Sequence, residues 1–211
     1  MPPTKVEGGA TFVDPGIDVG LMCRGPRLPH DRYMTNTHVS APTTVTIPEA
    51  GHYRIDPARS ALAFTTRHLF GLGRVRGGAE IRDGEIWIAD PLGDSSARAR
   101  IATGSVRSGS AARDAAILSR RLLDAGAYPF LTFTSAGLDR SDGRSVLRGQ
   151  LTVRDQTGPL DLQIDGAAQS GSELQLCART RIDRYAFGIT KSRGLAARYL
   201  DIRLNVVANR V

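Results

Sequence analysis

Cysteine is nearly absent. Cys23 and Cys177 are the two in 211 residues, and they lack the CxxC or Cys/His spacing that a zinc site or a redox pair needs. Reduced thiols are therefore the expected state. Histidine is scarce too: of His30, His38, His52 and His68, three fall in or beside the N-terminal tail, so neither a metal cluster nor a catalytic triad can be assembled by spacing. No apolar run approaches the roughly 18 residues that suggest a membrane-crossing helix. The N-terminus lacks a basic stretch followed by an apolar segment, and the expected location is the cytoplasm. Aromatic residues make up 6% of the chain with no evident surface pair, which weighs against a platform that stacks nucleic-acid bases. No GxSxG elbow occurs. The glycines of GLGRVRGG, at Gly71 to Gly78, do not fit GxGxxG and precede a strand rather than a helix, so the segment reads as a hairpin turn and not as a phosphate loop.

What is present divides the chain in two. Residues 1 to about 50 hold Pro2, Pro3, Pro15, Pro26, Pro29, Pro42 and Pro48 and no sustained hydrophobic period, so 1–50 is expected to be a disordered or extended tail, dispensable for folding. Met34 is followed by Thr-Asn-Thr-His, a polar start that makes residues 1–33 a candidate upstream extension. The remainder, 51–211, reads as one domain, consistent with a hydrophobic content of 41%. A net charge of +7 favours anionic partners, whether phosphates, acidic lipid surfaces or nucleic acid, without choosing among them.

From Tyr53 onward hydrophobic residues alternate with polar ones. Leu160, Leu162 and Ile164 alternate with Asp161, Gln163 and Asp165, and Leu174, Leu176, Ala178, Thr180 and Ile182 alternate with Gln175, Cys177, Arg179 and Arg181. Leu147, Leu151 and Val153 share one face, as do Leu200, Ile202, Leu204 and Val206. This period of two marks half-buried strands. Further strands are expected at Leu62 to His68, Arg74 to Ile81, Glu85 to Asp90, Ala97 to Thr103 and Leu131 to Leu138. Asp83-Gly84, Asp142-Gly143 and Ser170-Gly171 are hairpin-like dipeptides. A helix is expected over Ala111 to Asp124, stopped by Gly126 and Pro129. About eight alternating strands and one short helix point to an all-β fold, an eight-stranded antiparallel lipocalin-like barrel, because closure removes exposed strand edges. A β-sandwich is the competing architecture.

Five blocks in order carry a family resemblance. They are the opening YRIDPARSALAF from Tyr53; His68 with Val75 and Gly77; Arg113-Asp114 followed by Ser119, Leu122, Leu123, Asp124, Tyr128-Pro129, Phe133 and Ser135; Gly149-Gln150-Leu151-Thr152-Val153-Arg154; and Arg184 with Phe187, Gly188 and Ile189. In these the chain resembles the YceI-like family, the polyisoprenoid-binding lipocalin-like proteins of bacteria, over Tyr53 to Asn209. It differs from the usual pattern at Ala116, at Arg121-Leu122-Leu123 and at Asp155. The resemblance implies an extended barrel whose apolar lumen takes a long-chain isoprenoid or acyl lipid, often in a homodimer.

Such a lumen needs apolar side chains on one strand parity and a few polar groups near a mouth. The parity nominates Leu62, Phe64, Ile101, Phe133, Leu151, Leu162, Leu176 and Ile202, with Tyr128 and Phe187 nearer the ends; each is equally a candidate for packed core. His68 shares parity with Leu62 and Phe64 at a strand end, where it would meet a polar head or bond to backbone. Arg113, Arg154 and Arg184 lie in the matched blocks and suit a phosphate or carboxylate, or pair with the adjacent Asp114, Asp155 and Asp183. The reading is a non-catalytic lipid binder or carrier with no cofactor and no metal. Transient contact with an anionic membrane surface is compatible with it, and no nucleic-acid partner is expected. The alternatives are a single-strand nucleic-acid-binding barrel and an enzyme acting on a lipid-like substrate in the same cavity.

Overall fold

The computed structural model describes residues 47–68, 73–192 and 196–211. Residues 1–46, which include most of the expected tail and Met34, lie outside this description. Eleven strands form one antiparallel sheet: β1 (Gly51–Ile55), β2 (Ala61–His68), β3 (Gly73–Ala79), β4 (Ile81–Ile88), β5 (Ser96–Ala102), β6 (Phe130–Ser141), β7 (Arg144–Val153), β8 (Gln156–Pro159), β9 (Leu162–Ser170), β10 (Glu173–Asp183) and β11 (Tyr199–Arg210). Among the described residues one α-helix, α1 (Ala111–Leu118), and three short 3-10 turns interrupt them.

The pairing order runs β1, β4, β5, β6, β7, β9, β10, β11, and β11 pairs back with β1. Eight strands thus close a barrel, and the sandwich alternative is settled by that closure. With β10 along one edge, the long β11 serves two partners along the other: residues 208–210 pair with β1 and residues 201–205 with β2. Since β1 runs into β2 and β3 into β4, each couple acts as one broken wall strand, and the β2–β3 hairpin extends the wall at one end of the barrel.

Turn chemistry fixes the register where the chain reverses. Asp142 and Gly143, both at positive φ (52° and 71°), make the two-residue turn between Ser141 and Arg144, as a type I′ hairpin requires. The β9–β10 hairpin turns at Gly171-Ser172, between Ser170 and Glu173, one residue later than the dipeptide suggested. Asp83-Gly84 is not a turn. It lies inside β4 at a bulge, where a Cβ on Gly84 would come 2.6 Å from Ile55 and 2.7 Å from the Arg98 carbonyl, so glycine is there for close approach. The segment read as a hairpin turn, GLGRVRGG, is mostly strand: β3 starts at Gly73 and pairs with β2.

The helix is shorter than its pattern. Ser119 leaves helical geometry (ψ 162°), its hydroxyl donates to the Ala116 carbonyl at 2.7 Å, and residues 119–127 follow as turns. A serine that bonds back to the preceding turn competes with the helix ladder. Cys177 is disulfide-bonded rather than reduced, and Cys23 lies outside the described residues.

The outer wall is laced with cross-strand ion pairs. Arg100 binds Asp83, Arg148 reaches both Asp139 and Asp161, and Arg198 binds Asp183. Hydrogen bonds from Arg100 and Arg198 hold the carboxyls of Asp83 and Asp183 below the ordinary carboxylate range. The first described residues already belong to the barrel: Pro48 is buried, and the Glu49 amide donates to Gln169 Oε1 at 2.7 Å. Among the described residues no helix is long and apolar enough to cross a membrane.

Candidate functional site

Because successive strand residues face opposite sides, one parity of every wall strand points inward. Register then stacks those residues into rings. Phe64 on β2 lies opposite Ile202 on β11, and Leu62 opposite Leu204; on the far side Ile101 pairs with Leu131 and Phe133 with Leu151. The inward faces enclose a cavity of about 590 Å³ running most of the barrel's length. This is within the range of about 300–1,000 Å³ usual for small-molecule sites.

Phenylalanines line the cavity without filling it, because glycines on neighbouring strands give them room at the wall. A Cβ on Gly77 would fall 2.3 Å from the Phe64 ring, and one on Gly149 would fall 2.5 Å from the Phe133 ring. Phe187 leans on Gly158 in the same way, at 3.3 Å. Each ring thus occupies the space a side chain would take on the adjacent strand.

The barrel has two unlike ends. At the helix end, α1, Val106 and the corner after β10 approach the mouth; at the turn end, Ile47, Pro48, Leu138 and Ser145 do so. Among the described residues the charged side chains lining the cavity are all arginines, Arg67, Arg98, Arg113, Arg140 and Arg184, and no carboxylate or histidine joins them.

Arg98 binds Glu85 on β4, and two more of these arginines have structural partners. Arg113 donates from Nε to Ser108 Oγ (2.7 Å) and from its terminal nitrogen to the Ser108 carbonyl (2.6 Å), while Asp114 accepts from the Ser108 amide (2.8 Å) and hydroxyl. The Arg-Asp block thereby ties the first turn of α1 to a buried serine. Arg184 is 7% exposed. It donates to the carbonyls of Ile189 (2.6 Å), Lys191 (2.8 Å), Ala197 (2.8 Å) and Ala196 (3.0 Å), which compensates the buried charge. Four donors of one guanidinium thus hold the chain on either side of residues 193–195, at the mouth. The expected partner Asp183 instead binds Arg198.

The cavity brings together Leu62, Phe64, Ile101, Arg113, Phe133, Leu151, Leu162, Leu176, Arg184, Phe187 and Ile202. It does not include Tyr128 or Arg154, which meet each other, the guanidinium 5.7 Å from the ring centre, with Arg154 also donating to the Leu122 carbonyl at 3.3 Å. His68 ends β2 opposite Gly73, and its side chain lies outside the described residues. Sequence reasoning missed Val75, Ile86, Val106, Ile117 and Ile189 as lining residues. Val75 and Ile86 carried the same alternation signal; Val106 and Ile117 lie outside strands and could not be found by strand parity.

Comparison with known proteins agrees with this architecture. The YceI-like domain model matches residues 53–209. A UPF0312 protein of Vibrio vulnificus strain YJ016 is 29% identical over 166 residues, covering 74% of this chain and 86% of the relative. BcnA of Burkholderia cenocepacia superposes with a TM-score of 0.66 at 20% identity, over 74% of this chain and 99% of that one. A polyisoprenoid binding domain from Saccharophagus degradans, implicated in plant cell wall breakdown, gives a TM-score of 0.56 at 12% identity, over 77% of this chain and all (100%) of the other.

Proposed function

The chain belongs to the YceI-like domain family, and from that premise we propose that it binds or carries an apolar-chain lipid, a polyisoprenoid or an isoprenoid quinone, in the barrel lumen without catalysing a reaction. The observation that carries the reading is the lumen itself, an apolar cavity of about 590 Å³ whose aromatic rings are held against the wall. A solid core would have been packed to crystal-like density. The polyisoprenoid-binding neighbour of like fold supports the ligand class.

Magnitudes assign the roles. Burying a methylene contributes about 0.8 kcal/mol, so a tail of roughly fifteen carbons gains on the order of 12 kcal/mol before ordering costs. A hydrogen bond to a charged head contributes about 1.5–3 kcal/mol. The tail supplies the affinity and the head sets which way the lipid enters. A carrier rather than an enzyme is favoured because no carboxylate or histidine among the described residues lines the cavity to act as a general base.

Organic extraction of purified protein, followed by mass spectrometry, tests the reading. A long-chain apolar lipid is expected in the extract, and its loss on extraction should be reversed by adding back a polyprenyl phosphate, a quinone or a fatty amide. Apoprotein alone, with no binding of any of the three in titration, would refute it.

A further inference from the structure

Charge is distributed unevenly along the barrel axis. At the helix end Arg67, Arg74, Arg76, Arg120, Arg121 and Lys191 are all exposed, and none has a carboxylate within ion-pair distance among the described residues. At the turn end more of the cations are matched: Arg59 pairs with Glu173, Arg98 with Glu85 and Arg210 with Glu49, while the hairpin of Arg140 and Arg144 carries Asp142 and an Asp139 that is bound to Arg148.

The unmatched group is concentrated by register. Arg67 on β2 stands directly opposite Arg74 on β3, and Arg76 follows two residues along the same strand, opposite Thr65. Like charges placed opposite each other across a ladder destabilise it. The free protein gains nothing from this arrangement, whereas a dense external array of anions removes the repulsion. Arg67 also lines the cavity, so the patch is continuous with the mouth. Tyr199, 42% exposed, is at the same rim, where its carbonyl accepts from Thr66 at 2.9 Å.

We propose that the helix end of the barrel docks on an anionic bilayer surface, with Arg67, Arg74 and Arg76 as the cationic contact and the mouth of the lumen turned toward the lipid. Basic clusters beside an amphipathic tyrosine suit the headgroup layer of such a membrane. Single-stranded nucleic acid fits less well, because the rings a base would stack on are occupied: Arg181 and Arg198 lie 4.8 and 5.2 Å from the Tyr199 ring centre, and Arg184 and Arg198 lie 5.0 and 5.2 Å from that of Tyr185.

Co-sedimentation of the full chain with vesicles tests the proposal. Binding is expected to vesicles of phosphatidylcholine mixed with phosphatidylglycerol, not to phosphatidylcholine alone, with release at high salt as screening shortens the reach of the charges. The double variant Arg74→Glu/Arg76→Glu should lower vesicle partitioning roughly 25-fold or more, about fivefold per basic residue, and Arg74→Gln/Arg76→Gln should do the same if the reversed charges impair folding. Arg140→Glu/Arg144→Glu at the turn end should leave partitioning nearly unchanged. Lipid content of the lumen, read separately by native mass spectrometry, keeps a failure of docking distinct from a failure of the lipid reading. The proposal is overturned if the vesicles are not distinguished, if the two ends respond equally, or if a single-stranded oligonucleotide binds the patch more tightly than the anionic vesicles.

Discussion

The inner and outer faces of the same strands obey different rules. Along β10, Leu176, Ala178 and Ile182 face the lumen, while Arg179 and Arg181 reach Asp165 and Asp201 on the neighbouring strands. Exposed pairs of this kind contribute about 0–1 kcal/mol each; they keep the wall soluble and in register rather than hold the barrel together. The inner face is lined by no carboxylate among the described residues. It also lacks full packing, since Gly77 and Gly149 let Phe64 and Phe133 lie against the wall and leave the axis open. Eight strands can either fill their interior with side chains or hold one small ligand. The glycine seats leave the interior open here.

The largest departure from this division is Arg184, a buried cation at the lumen's mouth. Arg184→Ala would leave the carbonyls of Ile189, Lys191, Ala196 and Ala197 without their donor, and a loss of about 3–5 kcal/mol is expected. Denaturant unfolding measures it. A change below about 1 kcal/mol would show that the corner is held by other contacts. A smaller effect is expected from removing a seat. A Cβ on Gly149 would meet the Phe133 ring at 2.5 Å and the Thr134 carbonyl at 2.9 Å, so Gly149→Ala should cost about 1–3 kcal/mol by overpacking and shorten the chain length of the lipid recovered. Unchanged stability with unchanged lipid would show that the ring has room elsewhere. The smallest effect belongs to the outer wall: Arg148→Ala removes two pairs, to Asp139 and Asp161, yet should cost less than about 1 kcal/mol and leave lipid content alone. A ligand defect in that variant would contradict the division of the two faces.

Much of this was legible in one sequence because parity survives without knowledge of partners. Leu162, Leu176 and Ile202 were placed inward by alternation alone, and the barrel followed from the number of alternating strands. The failures have physical causes. Leu138 is carried inward by a bulge in β6 after Ser135, a shift that no period of two announces. Asp83-Gly84 has the composition of a turn but serves a close approach inside a strand. Phe64 and Gly77 are paired only by the β2–β3 register, so a glycine seat is a cross-strand relation that neither residue advertises. Arg154 was singled out from its matched block, and its position beside Tyr128, away from the lumen, depends on a turn residue at positive φ (58°).

The most direct test of an open lumen is to measure unfolding free energy and lipid affinity on the same two variants, Phe64→Ser and Phe133→Ser. If these rings line a cavity, each change removes apolar contact with the tail and introduces a polar group beside it. Affinity for a polyprenyl phosphate should then fall by about tenfold or more, equivalent to at least 1.4 kcal/mol, with a smaller loss of stability in the lipid-free protein. If instead they belong to a filled core, folding should lose about 3–5 kcal/mol with no separate change in affinity, and that result would contradict the account.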